Sequence, residues 1–223
     1  MGLVTGIDAI KAAVEKSNAD FEDSPRAKWF KLADGQSKKV VFLQEFDENS
    51  PEYSEKNGTV LVAVEHSAPK DYKRKALCTI DDGACLPCEM NKKFPKTGWN
   101  QKTRLYANVL VLDGSEPEVQ VLSQGLGGKS ITPTLFEMSN EYGSITKNPF
   151  KIKRTGSSLS NTSYALIPQM TESGISVEDY ELYDLVKVAT RNVDYEEQAT
   201  FYGVEEEKDP EEPSAEAGSD FDW

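Results

Sequence analysis

Short runs of alternating apolar and polar residues, turn residues between them, and few stretches of helical periodicity predict a mainly β, α+β fold for this 223-residue chain. The clearest run is Thr103 to Leu112. There Leu105, Ala107, Val109 and Val111 take one face and Arg104, Tyr106, Asn108 and Leu110 the other. At the start, Thr5 caps a short helix in which Ile7, Ile10 and Val14 recur at helical spacing, and residues 1–24 form an N-terminal arm. Trp29 to Leu32 and Lys39 to Leu43 read as two antiparallel strands around the Asp34-Gly35 turn. A polar loop, Asp47 to Gly58, precedes a strand from Thr59 to Glu65 that runs straight into His66. Downstream, Glu118 to Leu122, Phe150 to Arg154 and Ser163 to Pro168 read as strands. Thr132-Pro133 opens a helix that stops at Gly143, and Ser176 with Asp179 opens another through Val188. Trp29, Phe30, Phe42 and Phe136 read as core. Beyond Phe201-Tyr202 nothing in the sequence forms a core. The most economical arrangement is a Greek-key barrel of the OB type over residues 25–193, with a subdomain inserted at about 66–100 and an acidic disordered tail over 194–223.

The inserted stretch holds the only histidine and all three cysteines: His66, Cys78, Cys85 and Cys88. Zinc takes four tetrahedral ligands in structural sites, and three thiolates with one imidazole form a common set. The Cys85-Leu86-Pro87-Cys88 pair suits a tight knuckle, with His66 and Cys78 closing the sphere from the preceding strand and loop. A closed sphere of this kind is structural, with one zinc per chain. A disulfide is disfavoured because three cysteines cannot all pair and nothing in the chain suggests export.

Net charge is −13, yet the charge is unevenly placed. Residues 194–223 carry 12 of the 38 acids and 1 of the 25 bases, so the rest of the chain is close to neutral. Inside it the bases cluster. Lys70, Lys73, Arg74 and Lys75 precede the knuckle, Lys92, Lys93, Lys96, Lys102 and Arg104 follow it, and Lys147, Lys151, Lys153 and Arg154 form a third group. Two groups bracketing a metal knuckle favour a polyanion as partner. With no charged-then-apolar leader and no apolar run of membrane length, the expected location is the cytoplasm, without membrane contact.

Three enzyme motifs lack their second half, so no catalysis is expected. Gly127-Gly128-Lys129-Ser130 resembles the end of a P-loop, but the required upstream glycine is Ser123, and a flexible loop touching a phosphate through Lys129 fits better. Cys85-x-x-Cys88 as a redox pair leaves His66 and Cys78 unexplained. A zinc deaminase needs His-x-Glu and Pro-Cys-x-x-Cys, whereas His66 is followed by Ser67-Ala68 and Pro87 lies between the two cysteines.

The order His66, Cys78, Cys85-x-x-Cys88 within a strand-rich chain that ends in acid resembles the single-stranded DNA-binding proteins of T-even and other tailed bacteriophages. The resemblance extends to Trp29-Phe30-Lys31-Leu32 with Asp34-Gly35, to Gly98-Trp99 leading into Leu105 to Val111, and to Asn161-Thr162-Ser163-Tyr164 before Pro168. It covers roughly Pro25 to Pro168 plus the tail. It implies an OB-fold core with an inserted zinc subdomain, single-stranded DNA in a basic, aromatic-lined cleft between them, and a role in phage DNA replication, recombination and repair in the infected bacterial cell. It also places the metal on His66, Cys78, Cys85 and Cys88.

Non-specific strand binding needs cations along the backbone and flat rings under the bases. The rings set among bases are Tyr72 beside Lys73 and Arg74, Phe94 beside Lys93, Trp99 before Lys102, Tyr106 beyond Arg104, and Phe150 before Lys151 and Lys153. Tyr106 and Trp99 are the favoured two. The tail closes on Asp220-Phe221-Asp222-Trp223, and acidic tails with aromatic tips resemble those with which bacterial and phage single-strand binding proteins dock replication partners such as a polymerase, helicase or nuclease. The alternative function is a zinc-stabilised protein-interaction module whose acidic surface or tail binds host or phage proteins.

Overall fold

The structure, a computed structural model, describes residues 27–158, 160–169 and 174–204. The expected N-terminal helix and the tail tip, Asp220 to Trp223, lie outside the described residues. The chain divides into two compact units. One comprises residues up to Glu65 and Gln101–Arg191; the other comprises His66–Asn100 and residues from Asn192 on.

Seven strands make one mainly antiparallel sheet: β1 (Ser37–Phe42), β2 (Leu61–Ser67), β3 (Lys75–Leu77), β4 (Lys102–Val111), β5 (Glu118–Gly125), β6 (Phe150–Thr155) and β7 (Ser163–Pro168). Their order is β3-β2-β4-β1-β6-β7, with β5 also paired to β4. β4 is the spine of the larger unit. Its first half pairs with β2 (Arg104 opposite Ala63) and its second half with β1 (Val111 opposite Val40), while β5 runs along its other edge from Gly125 to Glu118. Among the described residues the sheet is not closed, so the fold stands as mainly β with an antiparallel sheet and a few helices.

β4 differs from the sequence reading in an instructive way. Leu105, Ala107, Val109 and Val111 pack with Val40, Phe42, Leu122, Leu135, Phe150 and Ile152 on one face, as alternation predicts. The opposite face is also covered: Leu110 packs with Val41 and Leu43 beneath Ile175, Val177, Tyr180 and Leu182. Each such aliphatic side chain contributes about 1.5–3 kcal/mol when fully buried. Asn108, fully buried at the strand's centre, is satisfied by Gln44 and by the backbone of Tyr183, which ties the covering segment to the sheet.

Several elements are displaced from their expected places. Trp29 to Leu32 is no strand. Instead, Lys28 and Phe30 exchange backbone hydrogen bonds with Val121, and the turn at Gly35 (φ 73°) hands the chain to β6 through Gly35 N–H to Arg154 O and Arg154 N–H to Gln36 O. The helix expected from Ser176 is a 3-10 turn, Val177–Asp179. The helix proper, α3 (Leu185–Ala189), starts at Asp184, whose carboxylate accepts from the amides of Val186 and Lys187. Thr132 is the first residue of its helix, α2 (Thr132–Tyr142), not its cap, because its hydroxyl donates to the carbonyl of Gly125 at 2.7 Å. Gly143 ends that helix in the left-handed region, as expected. Trp29 and Phe136 are exposed, not core, whereas Phe42 is buried and Phe30 packs against the core's edge. Two helices escaped the sequence reading: α1 (Leu86–Lys93) and α4 (Tyr195–Tyr202). α4 lies in the stretch assigned to the tail, yet Gln198 and Tyr202 are buried in it while Glu196 and Glu197 face out.

Just beyond β1, the buried carboxylate of Glu45 accepts from the hydroxyls of Ser144 and Thr146, both at 2.6 Å, and from the amides of Ile145 and Thr146, both at 3.1 Å. It anchors the loop between α2 and β6 to the sheet. Each buried donor left without a partner costs roughly 1–3 kcal/mol. Glu45→Ala is therefore expected to lower the unfolding free energy by about 3 kcal/mol or more, read from urea denaturation. An unchanged midpoint would show that water replaces the carboxylate.

Candidate metal centre

In the smaller unit, four local devices bring the ligands together. β2 carries His66 into the buried interior. Cys78 directly follows the short strand β3. A 3-10 turn, Ile80–Asp82, then reverses the chain, closed by Gly83 at φ 117° and by the Thr79 hydroxyl donating to Ala84 O at 2.6 Å. Cys85 sits at the N-cap position of α1 and Cys88 in its first turn, with Pro87 between them where a missing N–H costs nothing.

The ligand atoms of His66, Cys78, Cys85 and Cys88 all lie within 4.8 Å of one another. Cys78 Sγ is 3.9 Å from Cys85 Sγ and 3.6 Å from Cys88 Sγ, and Cys88 Sγ is 3.3 Å from His66 Nε2. A tetrahedral ion with thiolate arms of about 2.3 Å places its sulfurs roughly 3.8 Å apart, so the cluster fits such an ion. These separations are too long for a disulfide, and none of the three cysteines is in one. His66 Nδ1 lies 2.8 Å from the carbonyl of Trp99. A carbonyl only accepts, so Nδ1 carries the proton and Nε2 presents its lone pair to the cluster. Burial lowers the His66 pKa, against the raising effect of the Trp99 hydrogen bond, and so favours the neutral ring that ligation requires. Without an ion, burial, followed by the neighbouring thiols, pushes the Cys88 thiol up to about 12. A bound cation reverses that balance by holding the thiolates. His66, Cys78, Cys85 and Cys88 would supply all four donors of a tetrahedral ion, which would then hold structure.

Gln198, on α4, locks the frame. Its side-chain oxygen accepts from the Leu86 amide at the start of α1 (2.8 Å), and its nitrogen donates to Thr79 Oγ1 (2.9 Å) and Val193 O (3.0 Å). No sequence motif marks this residue. Trp99, Tyr202, Ala68, Ala76 and Val193 form the apolar cluster of the same unit, with Trp99 edge-on to Tyr202 at 5.6 Å.

The expected DNA-contact residues divide between the units. In the smaller one, Tyr72 is 65% exposed in a turn braced by Asp71 and Arg74, and Phe94 is 39% exposed with Lys93 Nζ 5.1 Å from its ring centre. Lys73 is exposed in the same turn as Tyr72. Trp99 is only 7% exposed, held in the apolar cluster, and this removes it as a stacking platform. In the larger unit, two more rings are corrected. Tyr106 is 0% exposed and its hydroxyl donates to Glu65 at 2.8 Å; burial first, then that carboxylate, raise its pKa. Phe150 is 3% exposed and packs edge-on to Phe42 at 5.6 Å. Of the cations there, Lys102 is exposed, and Arg104 is half-buried with Nη1 donating to Ser123 Oγ at 3.2 Å. Lys151 and Lys153 point outward from β6, alternating with buried Phe150 and Ile152. The register adds Lys39, which the sequence reading missed: it stands directly opposite Lys151.

Searches against protein-family models, curated proteins and solved structures found no match. The molecule is thus defined by its own features, as a mainly β protein with a cluster of three cysteines and one histidine that can bind a metal ion. Among the described residues no helix is long and apolar enough to cross a membrane.

Supporting residues behind metal ligands typically change metal affinity about 10–100-fold when lost. Gln198→Ala is accordingly expected to make the protein release metal to a competing chelator at about tenfold lower chelator concentration, followed by elemental analysis. Stripping the metal from the intact chain is expected to change the tryptophan near-UV signal, since Trp99 is hydrogen-bonded to His66.

Proposed function

We propose that this protein binds single-stranded DNA without sequence preference and performs no catalysis. The observation that carries the reading is the outer face of β1 and β6, where Lys39 stands directly opposite Lys151 and Lys153 follows two residues along. Like charges directly across a strand pair are destabilising on their own, and a phosphate backbone relieves that repulsion. Exposed Tyr72 beside Lys73, and Phe94 under Lys93, supply rings next to cations in the other unit. The ion is zinc on this reading, since three soft thiolates and an imidazole in tetrahedral array suit it above the hard cations. When bound it holds β2, the turn at Thr79 and α1 together.

The resemblance to tailed-phage single-strand binding proteins supports the same reading. With it, the sheet is an OB-type core, the working compartment is the cytoplasm of an infected bacterium, and the tasks are replication, recombination and repair. The acidic, aromatic segment Asp220-Phe221-Asp222-Trp223 is the docking site for replication proteins, and the acidic residues 205–223 compete with DNA for the cations.

Titration with oligo-dT at two salt concentrations tests the proposal. Each phosphate contact contributes roughly 0.7 to the log–log salt slope on a single strand. The double variant Lys151→Glu, Lys153→Glu is expected to bind more weakly and to flatten that slope by about 1.4. Deleting 205–223 is expected to tighten binding. Unchanged tryptophan emission and mobility with oligo-dT at low salt would refute the function.

A further inference from the structure

The loop Gly125-Leu126-Gly127-Gly128-Lys129-Ser130 failed as a P-loop, and the charge clusters did not absorb it. In the structure it borders an open groove of about 550 Å³ in the larger unit, together with Arg104, Ser123, Arg154 and Tyr164. The loop is braced from several sides. Ser130 donates to Gly127 O through its amide (2.9 Å) and its hydroxyl (2.7 Å), Thr132 holds Gly125 O, and the Tyr164 amide donates to Lys129 O at 2.8 Å.

The glycines are the informative part. Glycine is usually required by a left-handed φ or by a neighbour too close for a side chain. Gly125, Gly127 and Gly128 meet neither condition: none has positive φ, and a Cβ built on each meets nothing within 4 Å. Three side chains are therefore missing from a braced loop beside a groove, with no reason among the described residues. Their absence leaves bare backbone open to something that approaches from outside.

The groove's other walls state the chemistry of that visitor. Arg154 is fixed by three hydrogen bonds, to Gly156 O (3.2 Å), Leu32 O (2.8 Å) and Thr162 Oγ1 (3.3 Å), so its charge is placed and immobile. Arg104 is held by Ser123, with its Nε 3.9 Å from Glu65. Lys129 is exposed and donates to the carbonyl of Ser160 at 2.8 Å. Tyr164 lines the groove while packing partly against the core, which makes its ring a fixed surface. Bare backbone, three cations and one ring match a nucleotide unit, with its phosphate near Lys129 and Arg104 and its base against Tyr164.

We infer that the groove formed by Gly125, Gly127, Gly128, Lys129, Arg104 and Tyr164 is a nucleotide subsite that grips one phosphate and one base of the bound single strand. This rests on the proposed function and assigns a place within it.

The test uses the full chain and oligo-dT. Because no side chain or strained φ opposes alanine at these positions, Gly127→Ala with Gly128→Ala is expected to keep the melting temperature or raise it slightly. The same pair is expected to weaken oligo-dT binding about tenfold or more, the loss of one stacked or phosphate-bound unit. Lys129→Gln, a change on the surface, is expected to weaken binding and lower its salt dependence. In the wild type, the Gly127 and Gly128 amide resonances are expected to shift on adding oligo-dT, with dTMP binding only weakly. Wild-type affinity in both variants would overturn the subsite and leave the function standing; failure of the wild type itself to bind oligo-dT would overturn the function. Binding of dTMP as tight as that of oligo-dT would overturn the assignment to a strand and make the groove a mononucleotide site.

Discussion

Three thiols and one imidazole lie within 4.8 Å of one another, close enough for one ion to bind them together. Left as neutral groups they are poor packing partners, with weak S–H donors and a buried polar ring. A cation turns the same crowding into four strong bonds. On the proposed reading the smaller unit would gain most from that exchange, because its remaining apolar cluster is small: among the described residues Ala68, Ala76, Trp99, Val193 and Tyr202 form its buried part. A domain of this size seldom folds on apolar burial alone, and a structural metal is a usual remedy. Gln198 shows how far the constraint reaches, since an α4 side chain joins the start of α1 to the turn at Thr79.

The larger unit rests on a different arrangement, a long strand covered on both faces. β4 bonds to three strands, and the segment from Ile175 to Leu182 closes over the face that alternation left open. Asn108 makes that closure specific, because its amide is satisfied only when Gln44 and Tyr183 arrive together.

What the sequence revealed and what it hid follow from the range of each interaction. The metal ligands were legible because their chemistry is rare in the chain and their spacing is short. Strand positions were legible from alternation, with β4, β6 and β7 found nearly to the residue. Burial was not. Tyr106 alternates with core residues and follows Arg104, which reads as a wet face, yet it is enclosed by a partner outside its own strand, Glu65 on β2. Trp99 sits in a basic stretch but is packed by Tyr202, more than a hundred residues away in the chain. α4 was hidden by its acids, which face out while Gln198 and Tyr202 face in. Lys39 became visible only through register, since no local pattern places it opposite Lys151.

β2 carries two unrelated chemistries on adjacent residues. Glu65 takes the Tyr106 hydroxyl on one side of the strand, and His66 offers its ring to the thiols on the other. Strand geometry sends neighbouring side chains to opposite faces, so the two assignments are a single choice of phase. Inserting or deleting one residue in this strand ahead of Glu65, with the preceding register kept, would exchange the faces of both and spoil a buried hydrogen bond and a candidate metal ligand in one event. A two-residue change would restore the faces but carry both side chains about 6.6 Å along the strand, so the register of β2 against β4 is fixed as firmly as its phase.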